Sequence, residues 1–147
     1  MKEILTGLRG SHAATNVDAP DPALRGRTYA IPFETVWQAV VSLAGDGLRG
    51  WSIESADDQI GVLKAHALGG LLRPGIDVRV SIRLDHNAQT RVDLLARTRS
   101  GRHDLGRSRR LVAHFTERLD RKLEAGPAQI LDPRVLPAYG PGLGAEA

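Results

Sequence analysis

The chain has 147 residues, of which 41% are hydrophobic and 25% are charged, and its 20 Lys and Arg residues exceed its 17 Asp and Glu residues by a net +3. This length predicts one domain with additional segments at its ends. The absence of cysteine excludes disulfide-stapled scaffolds, cysteine nucleophiles and thiolate-bound metal centres. A surplus of three positive charges is modest for a nucleic-acid-binding protein, so it permits an acidic partner without requiring one.

The first 26 residues are rich in turn-forming residues and poor in hydrophobic ones. Pro20 and Pro22 disfavour helix around them. No apolar run is long enough for a signal peptide or a membrane span. We therefore expect an extended N-terminal arm over residues 1–26 and a cytoplasmic protein without a membrane span.

The next segment predicts a strand followed by a helix. Tyr29 and Ile31 alternate as in a half-buried strand, and Pro32 suits the first turn of a helix. Apolar residues then recur at the three- and four-residue spacings of one helix face, from Phe33 to Ala44. A Gly-Asp-Gly sequence ends the helix at residues 45–47.

From residue 51 the apolar period changes to two, which predicts four strands joined by turns. They fall near residues 51–54, 60–68, 77–84 and 91–99, with a loop over 68–75. A second helix follows Asp104, a suitable N-cap, and carries an apolar stripe that ends at Leu123. Residues 124–147 form a Pro- and Gly-rich tail.

The predicted domain therefore spans residues 27–123 and has the order β-α-β-β-β-β-α. Two helices placed on the apolar face of a mostly antiparallel sheet give an α+β two-layer sandwich. The other face of the sheet stays open.

Two stretches of the predicted domain resemble a known family. The first is Asp77-Val78-Arg79-Val80 and the second runs from Thr90 to Leu111, with its most specific portion at residues 98–106. Over residues 27–123 the chain is similar to the bacterial family catalogued as domain of unknown function 1499. Leu95, Ala96 and Ser108 depart from the family pattern. The resemblance implies the sandwich fold and no particular reaction.

Seven arginines form the main candidate binding surface. Strand alternation places five of them on the open face, and two more precede or enter the second helix. They are Arg79, Arg83, Arg91, Arg97, Arg99, Arg102 and Arg107. Guanidinium groups pair with carboxylate and phosphate, and the helix N-terminus near Gly106 adds a positive dipole end. We expect this surface to bind an acidic or other macromolecular partner.

A solvated salt-bridge ladder is the alternative for these arginines. In it, Asp77 and Asp93 neutralise neighbouring arginines while Asp104 caps the helix. Aromatic residues make up only 4% of the chain, so single-stranded nucleic acid lacks its usual stacking surfaces. Protein is the favoured partner, with nucleic acid the weaker choice.

No catalytic residue, metal site or cofactor is predicted. Ser100, His103 and Asp104 are the residue types of a hydrolase triad, but residues so close in one loop seldom align for catalysis. His114 with Glu117 offers two metal ligands, whereas a stable site needs three or four.

Two further predictions concern the core and the tail. Tyr29 to Pro32, followed by Val36-Trp37, is similar to the start of helix-grip ligand-binding domains. A small-molecule or lipid cavity would then be lined by core residues that otherwise pack together, namely Trp37, Trp51, Ile82, Leu94 and Phe115. In the tail, Leu131, Leu136 and Tyr139 suit docking along a surface. A non-enzymatic accessory or protein-interaction module is the preferred function, and a helix-grip-like binding protein is the alternative.

Overall fold

The computed structural model describes residues 12–69, 74–99 and 105–132. The strands are β1 (His12–Ala14), β2 (Arg27–Tyr29), β3 (Trp51–Asp57), β4 (Val62–Ala67), β5 (Ile76–Leu84), β6 (Thr90–Thr98) and β7 (Ile130–Leu131). The helices are α1 (Phe33–Ser42), which continues into a π-helical turn at Leu43–Gly47, and α2 (Leu105–Lys122). A short 3-10 turn lies at Pro22–Leu24.

The strands form one antiparallel sheet in the order β3-β4-β5-β6-β2-β7, and β1 also pairs with β6. Strand β6 is the organising strand, because β5 covers one edge and two short strands share the other. Strand β2 pairs with residues 90–92, and β1 pairs with residues 95–97. The predicted α+β sandwich is confirmed: a seven-stranded antiparallel sheet packs against two helices.

Both helices bury the stripe that their apolar spacing predicts. In α1 the buried residues include Val36, Trp37 and Val40. In α2 the side chains of Val112, Phe115 and Leu119 are each 1% exposed or less. Residues three and four apart share one helix face, so each helix presents a continuous apolar surface to the sheet.

The five residues predicted as cavity lining belong to or contact this core. Trp37, Ile82, Leu94 and Phe115 are buried in it, and Trp51 packs against it with its ring centroid 5.3 Å from that of Phe115. These side chains therefore contact one another and their neighbours in the interior between the sheet and the helices. Leu94 also lines one of the cavities described below, on the side of the sheet away from the helices.

The sheet extends into both segments that the sequence analysis placed outside the domain. Residues 12–26 include β1, and Ala13 is 1% exposed on the helix side of the sheet. In the tail, β7 pairs with β2, and the amide of Ala30 donates to the carbonyl of Gln129 at 2.8 Å. Strands of two or three residues carry no readable period, and their pairing depends on tertiary contacts.

A polar cluster fastens α2 to β2. The Tyr29 hydroxyl donates to Asp120 Oδ1 at 2.6 Å, and Arg27 Nη2 lies 3.1 Å from Asp120 Oδ2. Burial of Tyr29, followed by its hydrogen bond to Asp120, raises the pKa of the tyrosine well above its usual range. Tyr29 therefore stays protonated as a donor, which fixes the position of the helix over the short strand.

Candidate functional site

The face of the sheet away from the helices, called the open face here, carries the charged residues of β4, β5 and β6. Residues directly opposite in neighbouring strands share a face. In this register Lys64 lies opposite Arg79, Arg79 opposite Leu95, and Leu95 opposite Ala14. This row crosses four strands and includes one of the predicted arginines, Arg79.

Arg91 differs from the other predicted arginines because it is only 4% exposed. Its guanidinium donates to both carboxylate oxygens of Asp93, at 3.1 and 2.7 Å, and to the Thr28 hydroxyl at 3.3 Å. It also donates to the carbonyl of Arg25. All of these partners belong to the protein, so Arg91 lies outside the exposed surface that the sequence analysis assigned to it.

The Arg91–Asp93 pair holds the segment that connects β1 and β2. The Thr15 hydroxyl donates to Asp93 Oδ1 at 2.7 Å. Gly26 has a φ of +75°, and a methyl group there would lie 2.6 Å from Arg91 Nη2. Glycine is therefore required where the chain passes over the ion pair, because other residues adopt this conformation at a cost and would also collide.

A second ionic cluster lies at the end of the open face nearest Arg99. Asp77 Oδ1 lies 2.9 Å from Arg99 Nε and 3.2 Å from His66 Nδ1. Arg99 Nη2 also lies 3.2 Å from Glu54 Oε1. Arg99 thus links β3 and β5. Its single positive charge balances one of the two carboxylates, so Asp77 and Glu54 together leave one negative charge beside the other cations of this face.

Glu54 and Asp77 line a cavity of about 390 Å³ on this face, and three cations other than Arg99 line it with them. They are Lys64 on β4, Arg79 on β5 and Arg97 on β6, all exposed. Within the described residues, no hydrogen bond or ion pair joins any of their side chains to another group. We call these three residues the cation cluster.

The cavity continues toward the N-terminal segment as a groove. An adjoining cavity of about 200 Å³ is lined by Ala14, Thr15, Ser81 and Asp93 among others. Leu95 and Arg79 line both cavities, and Leu95 is partly buried. The groove therefore runs across the strands, with an excess of positive over negative charge at its β4 end and an apolar residue at its middle.

The remaining predicted arginines are dispersed. Arg83 is exposed and lies opposite Arg91 in the register of β5 and β6. Arg107 in α2 donates to the carbonyl of Pro74 at 3.0 Å, which ties the helix to the loop before β5. Gly106 is exposed in the first turn of α2, where the prediction placed the positive end of the helix.

Several predicted site residues lie outside the described residues: Arg102, Asp104, Leu136 and Tyr139. Leu131, predicted as a docking residue of the tail, is partly buried in β7 and pairs with Thr28 of β2.

Sequence reasoning missed Lys64 and Leu95 as site residues. Strand parity indicates that both face away from the helices, and that signal was available. The register that brings Lys64 opposite Arg79 and Leu95 depends on strand pairing, which the chain order alone does not reveal.

The described residues contain no group of three or more His, Asp or Glu side chains arranged to hold a metal ion. None of the helices in that part of the chain is long and apolar enough to cross a membrane. A scan against protein-family models gave no match, and a comparison with curated proteins gave none. The resemblance to the domain of unknown function 1499 family therefore stays a prediction.

Proposed function

We propose that the protein is a non-enzymatic interaction module whose open face binds an acidic region of another protein. The observation that supports this is the cation cluster, whose three cations line one cavity. Glu54 and Asp77 line the same cavity, but both form their ion pairs with Arg99. An acidic partner would supply the missing counter-charges.

The proximity of these like charges lowers the stability of the protein when no partner is bound. Like charges directly opposite in an antiparallel pair are unfavourable by roughly the 0.2–1 kcal/mol that opposite charges contribute. Lys64 and Arg79 form such a pair across β4 and β5. Elsewhere on the same face, Asp93 neutralises Arg91. At the cavity itself, Arg99 pairs with both Asp77 and Glu54. With Arg99 included, four cations face two carboxylates at this cavity, and the excess of two positive charges is suited to an external anion.

The chemistry of the surface favours protein over single-stranded nucleic acid. Base stacking requires exposed aromatic rings, and it supplies much of the affinity of such sites beyond charge. The rings of Phe33, Trp37, Trp51 and Phe115 pack on the helix side of the sheet, and Tyr29 is buried. The open face instead combines cations with Leu95, a pairing that suits acidic side chains beside an apolar one.

Affinity purification with matched variants tests the proposal. The wild-type chain is compared with an Arg79→Gln/Arg97→Gln variant and with an Arg109→Gln/Arg110→Gln control, which removes the same charge from exposed positions on α2. We expect an acidic protein to be recovered by the wild type and the control, to be lost from the open-face variant, and to be lost at about 0.5 M salt through screening. Equal recovery by all three chains would refute the proposal.

The contribution of the tail is measured separately. A chain that ends at residue 132 keeps β7, and therefore keeps the strand pairing with β2. Reduced partner recovery with this chain would assign part of the binding to residues 133–147, and unchanged recovery would assign it to the folded domain.

A further inference from the structure

The groove on the open face has an apolar middle and two unlike ends. Leu95 lies between Arg79 of β5 and Ala14 of β1, and it lines both cavities. The β4 end carries the cation cluster. At the β1 end the neighbours are the small side chains of Ala14 and Ser81.

The charge of the β1 end excludes a second carboxylate of the partner. Asp93 lines that cavity, and its side chain is 33% exposed. Arg91 and Thr15 already hold this carboxylate, so its remaining surface would repel another anion. Uncharged residues of a ligand therefore fit there. Acidic residues fit at the cation cluster, where the cations outnumber the two carboxylates, Glu54 and Asp77.

The spacing of the strands sets the spacing of these groups. Neighbouring strands are about 4.8 Å apart, so Leu95 lies roughly 5 Å from Arg79 and roughly 10 Å from Lys64 across the sheet. In an extended peptide, alternate side chains point the same way at a repeat of about 7 Å. When an apolar side chain of the peptide lies above Leu95, the side chain two residues along the peptide therefore lies between Arg79 and Lys64.

We infer that the partner's recognition element is an extended peptide segment that crosses the strands, with an apolar side chain above Leu95 and a carboxylate two residues away at the cation cluster. Uncharged residues follow on the other side, over Ala14 and Ser81. This inference rests on the proposed function and adds to it the sequence pattern of the acidic partner.

Labelled peptides test the pattern by fluorescence anisotropy on the full chain. The probe is Glu-Glu-Ser-Leu-Ser-Ser, used in both sequence directions because the proposed spacing of its side chains is the same in either. One control replaces Leu with Ser at constant charge, and another replaces both Glu with Gln. We expect the Leu probe to bind the wild type about fivefold more tightly than its Ser control, the change that corresponds to partial burial of a Leu side chain. The Gln control should lose binding.

Protein variants locate the effect. The Leu95→Gln variant should bind the Leu and Ser probes with equal affinity. The Arg79→Gln variant should bind both probes more weakly than the wild type, by the same factor. Thermal melts verify that each variant is folded, and the comparison of probes on the wild type does not depend on any variant.

Three outcomes would overturn the inference. If the Leu and Ser probes bind the wild type equally well and Arg79→Gln weakens both, the pattern is wrong while the proposed function stands. If a single-stranded oligonucleotide of similar charge binds more tightly than the Leu probe, the partner class is wrong. If no acidic probe binds, the inference fails. The proposed function fails as well if, in the affinity purification, the Arg79→Gln/Arg97→Gln variant recovers the same partner as the wild type.

Discussion

Replacement of Arg91 and of Arg79 by Met separates a structural arginine from a binding arginine on the same face of the sheet. Arg91 is 4% exposed and donates to Asp93, Thr28 and the Arg25 carbonyl. Arg79 is exposed, and no hydrogen bond or ion pair joins its side chain to any of the described residues. The sequence gives both residues the same strand parity, so the structure alone predicts that the two substitutions differ.

The magnitude follows from the partners that each substitution leaves behind. Hydrogen bonds to charged groups contribute about 1.5–3 kcal/mol, and breaking a fully buried ion pair costs about 3–5 kcal/mol. The Asp93 side chain is 33% exposed and keeps part of its hydration, so we expect Arg91→Met to cost about 2–3 kcal/mol. Arg79→Met should change the free energy of unfolding by about 0.5 kcal/mol or less.

Thermal and urea denaturation followed by circular dichroism measure this difference. For a chain of this size, 1 kcal/mol corresponds to about 2–4 °C in Tm, so Arg91→Met should lower Tm by about 4–12 °C and Arg79→Met should move it by at most about 2 °C. A cycle with Asp93→Asn should show a coupling of about 1–2 kcal/mol with Arg91→Met. Equal shifts for the two Arg variants, or additive effects in the cycle, would refute the structural role of Arg91.

Three further predictions concern stability. Gly26→Ala should lower the free energy of unfolding by about 1–3 kcal/mol, because Gly26 has a positive φ and an added methyl group would collide with Arg91. The control Gly126→Ala, which has open space around it, should change that free energy by no more than about 0.5 kcal/mol in the same urea titration. The pKa of Tyr29 is raised in the folded state, so the free energy of unfolding should fall as the pH rises above the unfolded pKa of about 10. This fall should be steeper than in Tyr29→Phe by up to about 1.4 kcal/mol per pH unit. Parallel pH profiles of the two proteins would contradict the burial of this hydroxyl. Thr116 is 2% exposed, and its hydroxyl has no hydrogen-bond partner within residues 12–69, 74–99 and 105–132. Thr116→Val should therefore raise the free energy of unfolding by up to about 1 kcal/mol. A lower melting temperature of this variant would show instead that the hydroxyl has a partner.

The sequence was informative where a long element has one apolar face. The period of two in β5 and β6 and the three- and four-residue spacing in α2 predict elements that the structure contains, because burial of one face dominates their free energy. Strands β1 and β7 were not predicted, since their two or three residues gain stability only from pairing with β6 and β2.

The candidate site was predictable as a face but not as a set of residues. Strand parity places Arg79, Arg91 and Arg97 on one side of the sheet, and the structure agrees. Parity does not indicate that β1 and β2 fold along the edge of β6 and bury Arg91. Strand parity also does not predict that Lys64 belongs to the cation cluster, because that depends on the register between β4 and β5.

Chemical-shift mapping on the open face tests the central claim most directly. The ¹⁵N-labelled full chain is titrated with polyglutamate at about 0.05 M salt, where surface electrostatics are weakly screened. We predict that the amide shifts concentrate at Lys64, Arg79, Leu95 and Arg97 and that they diminish at about 0.5 M salt. Shifts that centre on Arg109 and Arg110 of α2, or no saturable shifts at any residue, would contradict the assignment of the open face as the binding surface.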